Sequence, residues 1–358
     1  MNFDLSEEQE LLQETVKQLL ANELPATHLR EIFEGDTGHD PALWKGLVEM
    51  GIAGLIVPEE YGGADLELLD LAVCAEALGW GGAPGPFFGH SVACIALELA
   101  GSEAQKKSWL PRLATGDAVG TFAFGEAGGL WNPSEWTLVG GDTLTGVKLN
   151  VPTASLADLL VVGVAGGGLV LVERSASGIS VEDMQGVDRS RRIDSVTFEN
   201  TPCEAMPGDL AAANRVRDAA LILLAADAFA AASKLVDMCV EYAKTREQFG
   251  VTIGHFQGLK HQLANMAIDI EPSRALYWYA AHAFDHIPEE SERSAALAKS
   301  HISDRAMEIG RDSVEAHGGI GFTWECDVQL WFKRAMFDRA FLGTPSLHRD
   351  RIAQMSDW

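Results

Sequence analysis

Arg246-Glu247-Gln248-Phe249-Gly250-Val251-Thr252-Ile253-Gly254-His255-Phe256-Gln257 is the stretch around which the rest of the chain arranges itself. Before it, residues 215–245 form an alanine- and leucine-rich run ending in Val240-Glu241-Tyr242-Ala243-Lys244-Thr245, and Gly250 and Gly254 supply stopping points for a helix. After it, Leu259, Leu263, Met266 and Ile268 keep near-helical spacing, which predicts a second helix starting near Phe256. The stretch is therefore expected to be an elbow between antiparallel helices. Such an elbow offers an arginine, an aromatic face, a glutamine and free backbone N–H groups, a set suited to a large, planar, anionic ligand. Arg246 also suits a helix C-terminus and Phe249 suits packing, so the residue types alone leave both readings open.

A chain of 358 residues predicts two or three folding units, and its 47% hydrophobic and 22% charged residues are those of an ordinary soluble globular protein. No apolar run reads as a membrane span, and Met1-Asn2-Phe3-Asp4-Leu5 lacks the basic-then-apolar order of a signal peptide, so a cytoplasmic location is expected. The 52 acidic and 27 basic residues give a net charge of −25, a field that repels nucleic acid and anionic membranes. Any anionic ligand must then be met by local basic groups. Cys74, Cys94, Cys203, Cys239 and Cys326 lack C-x-x-C spacing, and the ten histidines form no H-x-x-x-H or H-E-x-x-H arrangement, so neither a disulfide framework nor a metal site is expected.

Ser6 with Gln9 makes a capping box ahead of Leu12, Val16, Leu19 and Leu20, which share one helical face. Further helices are predicted over Pro41–Met50 with Leu43 and Leu47 inward, over 65–80 and 90–101 around the breaker cluster 81–86, and over Glu103–Ala114. Glu59-Glu60-Tyr61-Gly62-Gly63 reads as a turn. Near Gly120 the texture changes to short β-branched and aromatic runs at 121–124, 136–139, 143–147, 159–164, 169–172 and 195–198. They suggest a compact antiparallel sheet domain. Gly166-Gly167-Gly168 sits between strands as a hairpin turn, and without a G-x-G-x-x-G between strand and helix a Rossmann site is not expected. Helical segments follow over 211–246, 256–286, 290–317, 325–340 and 345–356. The predicted fold is mainly α with a central β domain: residues 1–118 an N-terminal helical domain, 119–208 an antiparallel β domain, and 209–358 a C-terminal helical bundle.

The elbow resembles the R-x-x-F-G-x-x-I-x-x-F-Q signature of the acyl-CoA dehydrogenase family, and the resemblance extends along the whole chain. It implies FAD as cofactor, an acyl-CoA substrate, and contacts from Arg246, Phe249 and Gln257 to the FAD of a neighbouring subunit. Glu315-Ala316-His317-Gly318-Gly319-Ile320-Gly321-Phe322 is similar to the family's Q-x-x-G-G-x-G-F segment, with Glu315 at the usual glutamine, and adds Glu315, Gly318 and Gly319 to the implied cofactor-binding set. Glu59-Glu60-Tyr61-Gly62-Gly63 resembles its P-E-x-Y-G-G turn. Residues 144–158 resemble the strand pair that carries the flavin ring, with Asn150, Pro152 and Thr153 where a K-x-W-I-T-N string has Trp, Thr and Asn. The T-E-P-x-x-G-S-D loop is reduced to Gly125-Glu126-Ala127-Gly128-Gly129-Leu130-Trp131. Asp188-Arg189-Ser190-Arg191-Arg192 looks like the family's D-x-x-R-R string, read here as a solvated turn with local Asp–Arg pairing rather than a coenzyme A clamp.

Desaturating a thioester needs a base for the α proton while flavin takes the β hydride. Phe341-Leu342-Gly343-Thr344 matches the family's Y-E-G-T string with Leu342 at the catalytic glutamate, and Thr344 joins the implied cofactor-binding set. The other family location for the base falls at Ala220. Asp218, roughly 200° around the helix from Ala220, and His348 are the remaining titratable groups nearby; the first reads otherwise as a polar residue at a helix start, the second as a surface histidine. The resemblance thus implies a dehydrogenase of lipid or steroid degradation working as one subunit of an α₂β₂ heterotetramer with a related chain that carries the base, and passing electrons to an electron-transfer flavoprotein. A homo-oligomer, a flavin oxidase or monooxygenase of the same fold, and a non-catalytic structural subunit stay open as alternatives.

Overall fold

The computed structural model describes residues 4–355. Six helices come first: α1 (Glu7–Glu23), α2 (Ala26–Glu34), α3 (Pro41–Glu49), α4 (Leu68–Gly81), α5 (Phe87–Ala100) and α6 (Glu103–Ala114). Local chemistry starts several of them. Ser6 and Gln9 exchange side-chain and backbone hydrogen bonds ahead of α1, Ser102 and Gln105 do the same for α6, and the Asp40 carboxylate accepts the Ala42 and Leu43 N–H groups beside Pro41. Val16, Leu20, Leu43 and Leu47 are buried, and Leu12 and Leu19 pack against them half-buried.

Seven strands follow: β1 (Gly120–Ala123), β2 (Thr143–Pro152), β3 (Leu159–Val164), β4 (Gly168–Glu173), β5 (Ile179–Met184), β6 (Ile193–Pro202) and β7 (Glu204–Ala205). They form two sheets, ordered β1-β3-β4-β7 and β2-β6-β5. All pairings are antiparallel except that of β1 with β3, which runs parallel with Gly120 opposite Leu159. β3 is buried along its whole length, in keeping with its unbroken Leu-Leu-Val-Val run. Gly166, at φ 81°, turns β3 back into β4.

Two expectations fail here for physical reasons. Residues 136–139 are not a strand: Trp136 is buried against Phe124 with ring centroids 4.9 Å apart, and the Thr137 and Leu138 N–H groups donate to the Glu126 carboxylate at 2.8 and 3.1 Å instead of to a neighbouring strand. β5 went unpredicted because its Ile-Ser-Val-Glu-Asp-Met sequence, at a sheet edge, is polar and largely exposed.

The chain then returns to helices: α7 (Leu210–Thr245), α8 (Gln257–Ile270), α9 (Arg274–His286), α10 (Pro288–Ala316), α11 (Val328–Ala340) and α12 (Pro345–Gln354), with the two-residue strands β8 (Glu247–Gln248) and β9 (Val251–Thr252) between α7 and α8. The single helix predicted over 256–286 is broken at Glu271-Pro272-Ser273, where proline ends the ladder. On α8, Met266 is buried and Leu259 and Leu263 are half-buried, whereas Ile268, expected inward, is 68% exposed. α7 is the axis of the molecule. It packs against α4, α5, α9, α10 and α11, and its alanines let those neighbours approach closely. Contrary to expectation it is also long and apolar enough to cross a membrane, and 83% of its most apolar window is buried inside the protein.

The β domain holds one buried ion pair, Lys148 Nζ to Glu126 Oε1 at 2.6 Å. Lys148→Ala strands the Glu126 carboxylate away from water and should destabilise the protein by about 3–5 kcal/mol. Lys148→Met/Glu126→Gln, which keeps an acceptor for Thr137 and Leu138, should recover more than half of that loss in urea unfolding; a double variant no more stable than the single one contradicts this account.

Candidate active site

The elbow is a hairpin in which Glu247 pairs with Thr252 and Gln248 with Val251. Phe249 and Gly250 form its tip at φ 54° and 78°, a pair of left-handed residues that suits a tight two-residue turn. Arg246 ends α7, donating its N–H to the Tyr242 carbonyl at 2.8 Å and accepting the Ile253 N–H at 2.7 Å. Gln257 opens α8. Arg246, Phe249 and Gln257 are all exposed, and Phe249 is 92% so, with only an edge contact to Phe256 at 6.0 Å. A phenylalanine in a left-handed backbone conformation, held out in water, is not a packing residue of its own chain.

Glu315, Gly318 and Gly319 lie at the same end of the bundle. Tyr242, in the last turn of α7, stacks on His317 at 4.4 Å, which sets Gly318 and Gly319 beside the root of the elbow. All three are exposed, and a Cβ built on either glycine would meet nothing within 4 Å. Exposed Ile320 and Phe322 continue this surface. An arginine, an amide, an aromatic ring and open glycine backbone, all turned away from the chain's own interior, suit a large, planar, anionic ligand. Thr344 is also exposed, at the start of α12.

The strand that resembles the family's flavin-ring support is less suited to such a ligand. Asn150 and Thr153 sit at φ 54° and 44°, and the buried Thr153 hydroxyl has no partner. Ala220 and Leu342, at the positions the resemblance implies for the base, are both buried. Phe341 stacks on Phe337 at 4.9 Å and meets Trp131, Phe88 and Phe122 at 5.2, 5.9 and 6.2 Å, so the loop is fixed in an aromatic cluster. Below it, His348 Nε2 donates to the Leu342 carbonyl at 3.1 Å, while the buried Lys299 ammonium donates to the carbonyls of Asp338, Arg339 and Gly343. Burial pushes Lys299 down to about 7.

Three expectations are corrected at this point. His348 is buried, not a surface residue, because it lies on the inner face of α12; burial, reinforced by Lys299 and Arg351, pushes it down to about 3 and keeps it neutral. Asp218 is buried too, bound by Arg217 at 2.9 Å and Arg351 at 2.7 Å, which leaves its carboxylate no free approach for a substrate proton. The 188–192 string is interior rather than solvated. Asp188 accepts the Ser190 N–H and hydroxyl, Arg192 reaches Asp183 at 3.1 Å, and Arg191 crosses into the bundle to Asp227 on α7 and Asp338 on α11, the latter at 2.5 Å. Arg334 grips Asp227 with two bonds of 2.8 Å. Asp227, Arg334 and Asp338 were not singled out from sequence, although an aspartate within Ala225-Ala226-Asp227-Ala228 is a signal, since a lone charge in an alanine run needs a buried partner. Among the described residues no cluster suited to a metal ion is present.

His348 gives a pH test. Its folded value, about 3, lies below the ordinary 6.5, so the unfolded chain binds a proton that the folded chain refuses, and stability falls as pH drops from 6.5 toward 3. The slope from this group is at most about 1.4 kcal/mol per pH unit. His348→Gln keeps a donor for the Leu342 carbonyl and should show a shallower loss between pH 6.5 and 4 in denaturant unfolding; identical slopes would refute the assignment.

Comparison with known proteins identifies the family. The family model for the acyl-CoA dehydrogenase N-terminal domain matches residues 6–117, and that for the C-terminal domain matches residues 218–356. The acyl-CoA dehydrogenase IpdE2 of Mycolicibacterium smegmatis is 35% identical over 342 residues, covering 95% of this chain and 96% of that protein. IpdE2 of Mycobacterium tuberculosis is 33% identical, covering 95% and 94%. A solved structure of a variant of the Tcur3481–Tcur3483 steroid ACAD superposes with a TM-score of 0.89 at 30% identity, covering 98% of this chain and 97% of that one. The chain belongs to the acyl-CoA dehydrogenase family.

Proposed function

We propose that this chain is one subunit of an FAD-dependent acyl-CoA dehydrogenase that forms an α₂β₂ assembly with a related chain carrying the catalytic base. The observation that supports the proposal is a division within the molecule: the elbow that the resemblance assigns to a neighbour's flavin is outward-facing, while buried Leu342 and Ala220 stand at the positions it assigns to the base. The two chain names in the Tcur3481–Tcur3483 structure support a mixed assembly, and its description as a steroid ACAD supports a steroid- or lipid-derived acyl thioester as substrate.

In this reading Arg246 and Gln257 hold the anionic dinucleotide from across the subunit interface, Phe249 covers it from water, and the Gly318-Gly319 backbone approaches it closely. When bound, FAD would accept the β hydride. The α proton goes to the partner's carboxylate, because no carboxylate stands at either of this chain's base positions. Glu315, in place of glutamine, needs a donor on the partner where it approaches phosphate. Electrons then pass to an electron-transfer flavoprotein.

Two outcomes test the proposal. The purified chain alone should fail to bleach FAD with acyl-CoA thioesters, since loss of a general base costs about 10²- to 10⁴-fold, and co-expression with a glutamate-bearing relative should restore bleaching. Rapid flavin reduction by a homo-oligomer would overturn it. In the mixed assembly Arg246→Glu should weaken flavin retention by about tenfold or more, the scale of losing a charge-assisted hydrogen bond. Unchanged affinity removes Arg246 from the site.

A further inference from the structure

The buried charges around Arg191 do more than join the parts of the molecule. Asp227 lies seven residues after Ala220, roughly two full turns at 3.6 residues per turn, so both occupy the same face of α7. Asp338 lies in the last turn of α11, four residues before Leu342, which follows the end of the helix in a left-handed conformation at φ 54°. The α7 face that carries Ala220 and the end of α11 that leads into Leu342 therefore meet through charge. Arg191 bridges the two carboxyls, and Arg334 takes Asp227 by both oxygens while giving its third donor to the Ala83 carbonyl at 3.0 Å.

What remains between these faces is small. A cavity of about 30 Å³ lies where the N-terminal helices, the β domain and the bundle meet, and its lining includes Phe88, Thr153, Leu223, Leu224 and Phe337 together with Arg191, Asp227 and Arg334. That is room for one or two waters, against the roughly 300–1,000 Å³ of a ligand pocket. The surrounding chain is shaped to the charges: a Cβ on Gly79 of α4 would come within 3.0 Å of the Asp227 carboxyl carbon.

We propose that the Arg191–Asp227–Arg334–Asp338 quartet closes this chain's own acyl cleft, so that the subunit excludes substrate in addition to lacking a base. The cleft walls otherwise suit an acyl group, being formed by leucine and phenylalanine beside the strand that resembles the family's flavin-ring support. Paired charge fills the space instead. An entering hydrocarbon would have to separate guanidinium from carboxylate without offering either a new partner. Specificity in the assembly is then enforced by exclusion on this side, and the partner's cleft alone selects the acyl group.

The inference rests on the acyl-CoA dehydrogenase reading but is tested separately from it, by binding rather than turnover. Affinities of the purified chain for acetyl-CoA and octanoyl-CoA are compared by titration calorimetry. For the wild-type chain the longer acyl group should bring less than a twofold gain, or neither thioester should bind. Arg191→Ala/Asp338→Ala removes one cation and one carboxyl together, leaves the Arg334–Asp227 pair intact and widens the cleft; it should prefer octanoyl-CoA by about tenfold or more. A tenfold preference already present in the wild-type chain overturns the proposal, as does a folded double variant that gains none. If the double variant does not fold, the wild-type comparison decides by itself. Failure of the mixed assembly to reduce flavin would defeat the proposed function and leave this binding result standing.

Discussion

The pairing of Arg191 with Asp227 and Asp338 is the constraint on which the rest of the structure depends, because it is where the β domain, α7 and α11 are tied to one another out of reach of water. A guanidinium buried with two carboxyls is stable only while geometry and hydrogen bonds are kept, so each element's position is fixed by the others. Burial holds Asp338 well above the ordinary carboxyl range, whereas Arg191 and Arg334 outweigh burial at Asp227 and hold it below. The two aspartates are thus unequal.

This arrangement explains why the interior near the expected base is rigid and polar at once. Lys299 secures the carbonyls at the end of α11, His348 secures Leu342, and Arg351 with Arg217 secures Asp218. Each titratable group in the neighbourhood has a structural partner. In a dehydrogenase that abstracts its own proton, one carboxylate would have to stay available; here Asp218, Asp227 and Asp338 are each held by arginine.

Much of the fold was legible in the sequence because its signals are local. A capping box marked α1, prolines and glycines marked the breaks, and the change to β-branched residues near Gly120 marked the sheets. What escaped depends on distant partners. The parallel placing of β1 beside β3, the bonding of Thr137 and Leu138 to a carboxylate, and the burial of Asp218, His348 and residues 188–192 all follow from contacts between segments far apart in sequence. A charged string reads as surface until its partners are known. The elbow was legible for the opposite reason, since its residue types and spacing sit within one short turn.

That turn has a consequence for the association proposed above. Phe249 is held in a left-handed backbone conformation by the β8–β9 pairing and the bonds at Arg246, before any second molecule is present. The conformational cost is therefore carried by the free chain and is absent from the act of association. An elbow prepared in this way docks without first ordering a loop, so encounter with the partner should be governed by diffusion and charge, and the lifetime of the assembly by how well an already shaped surface is covered.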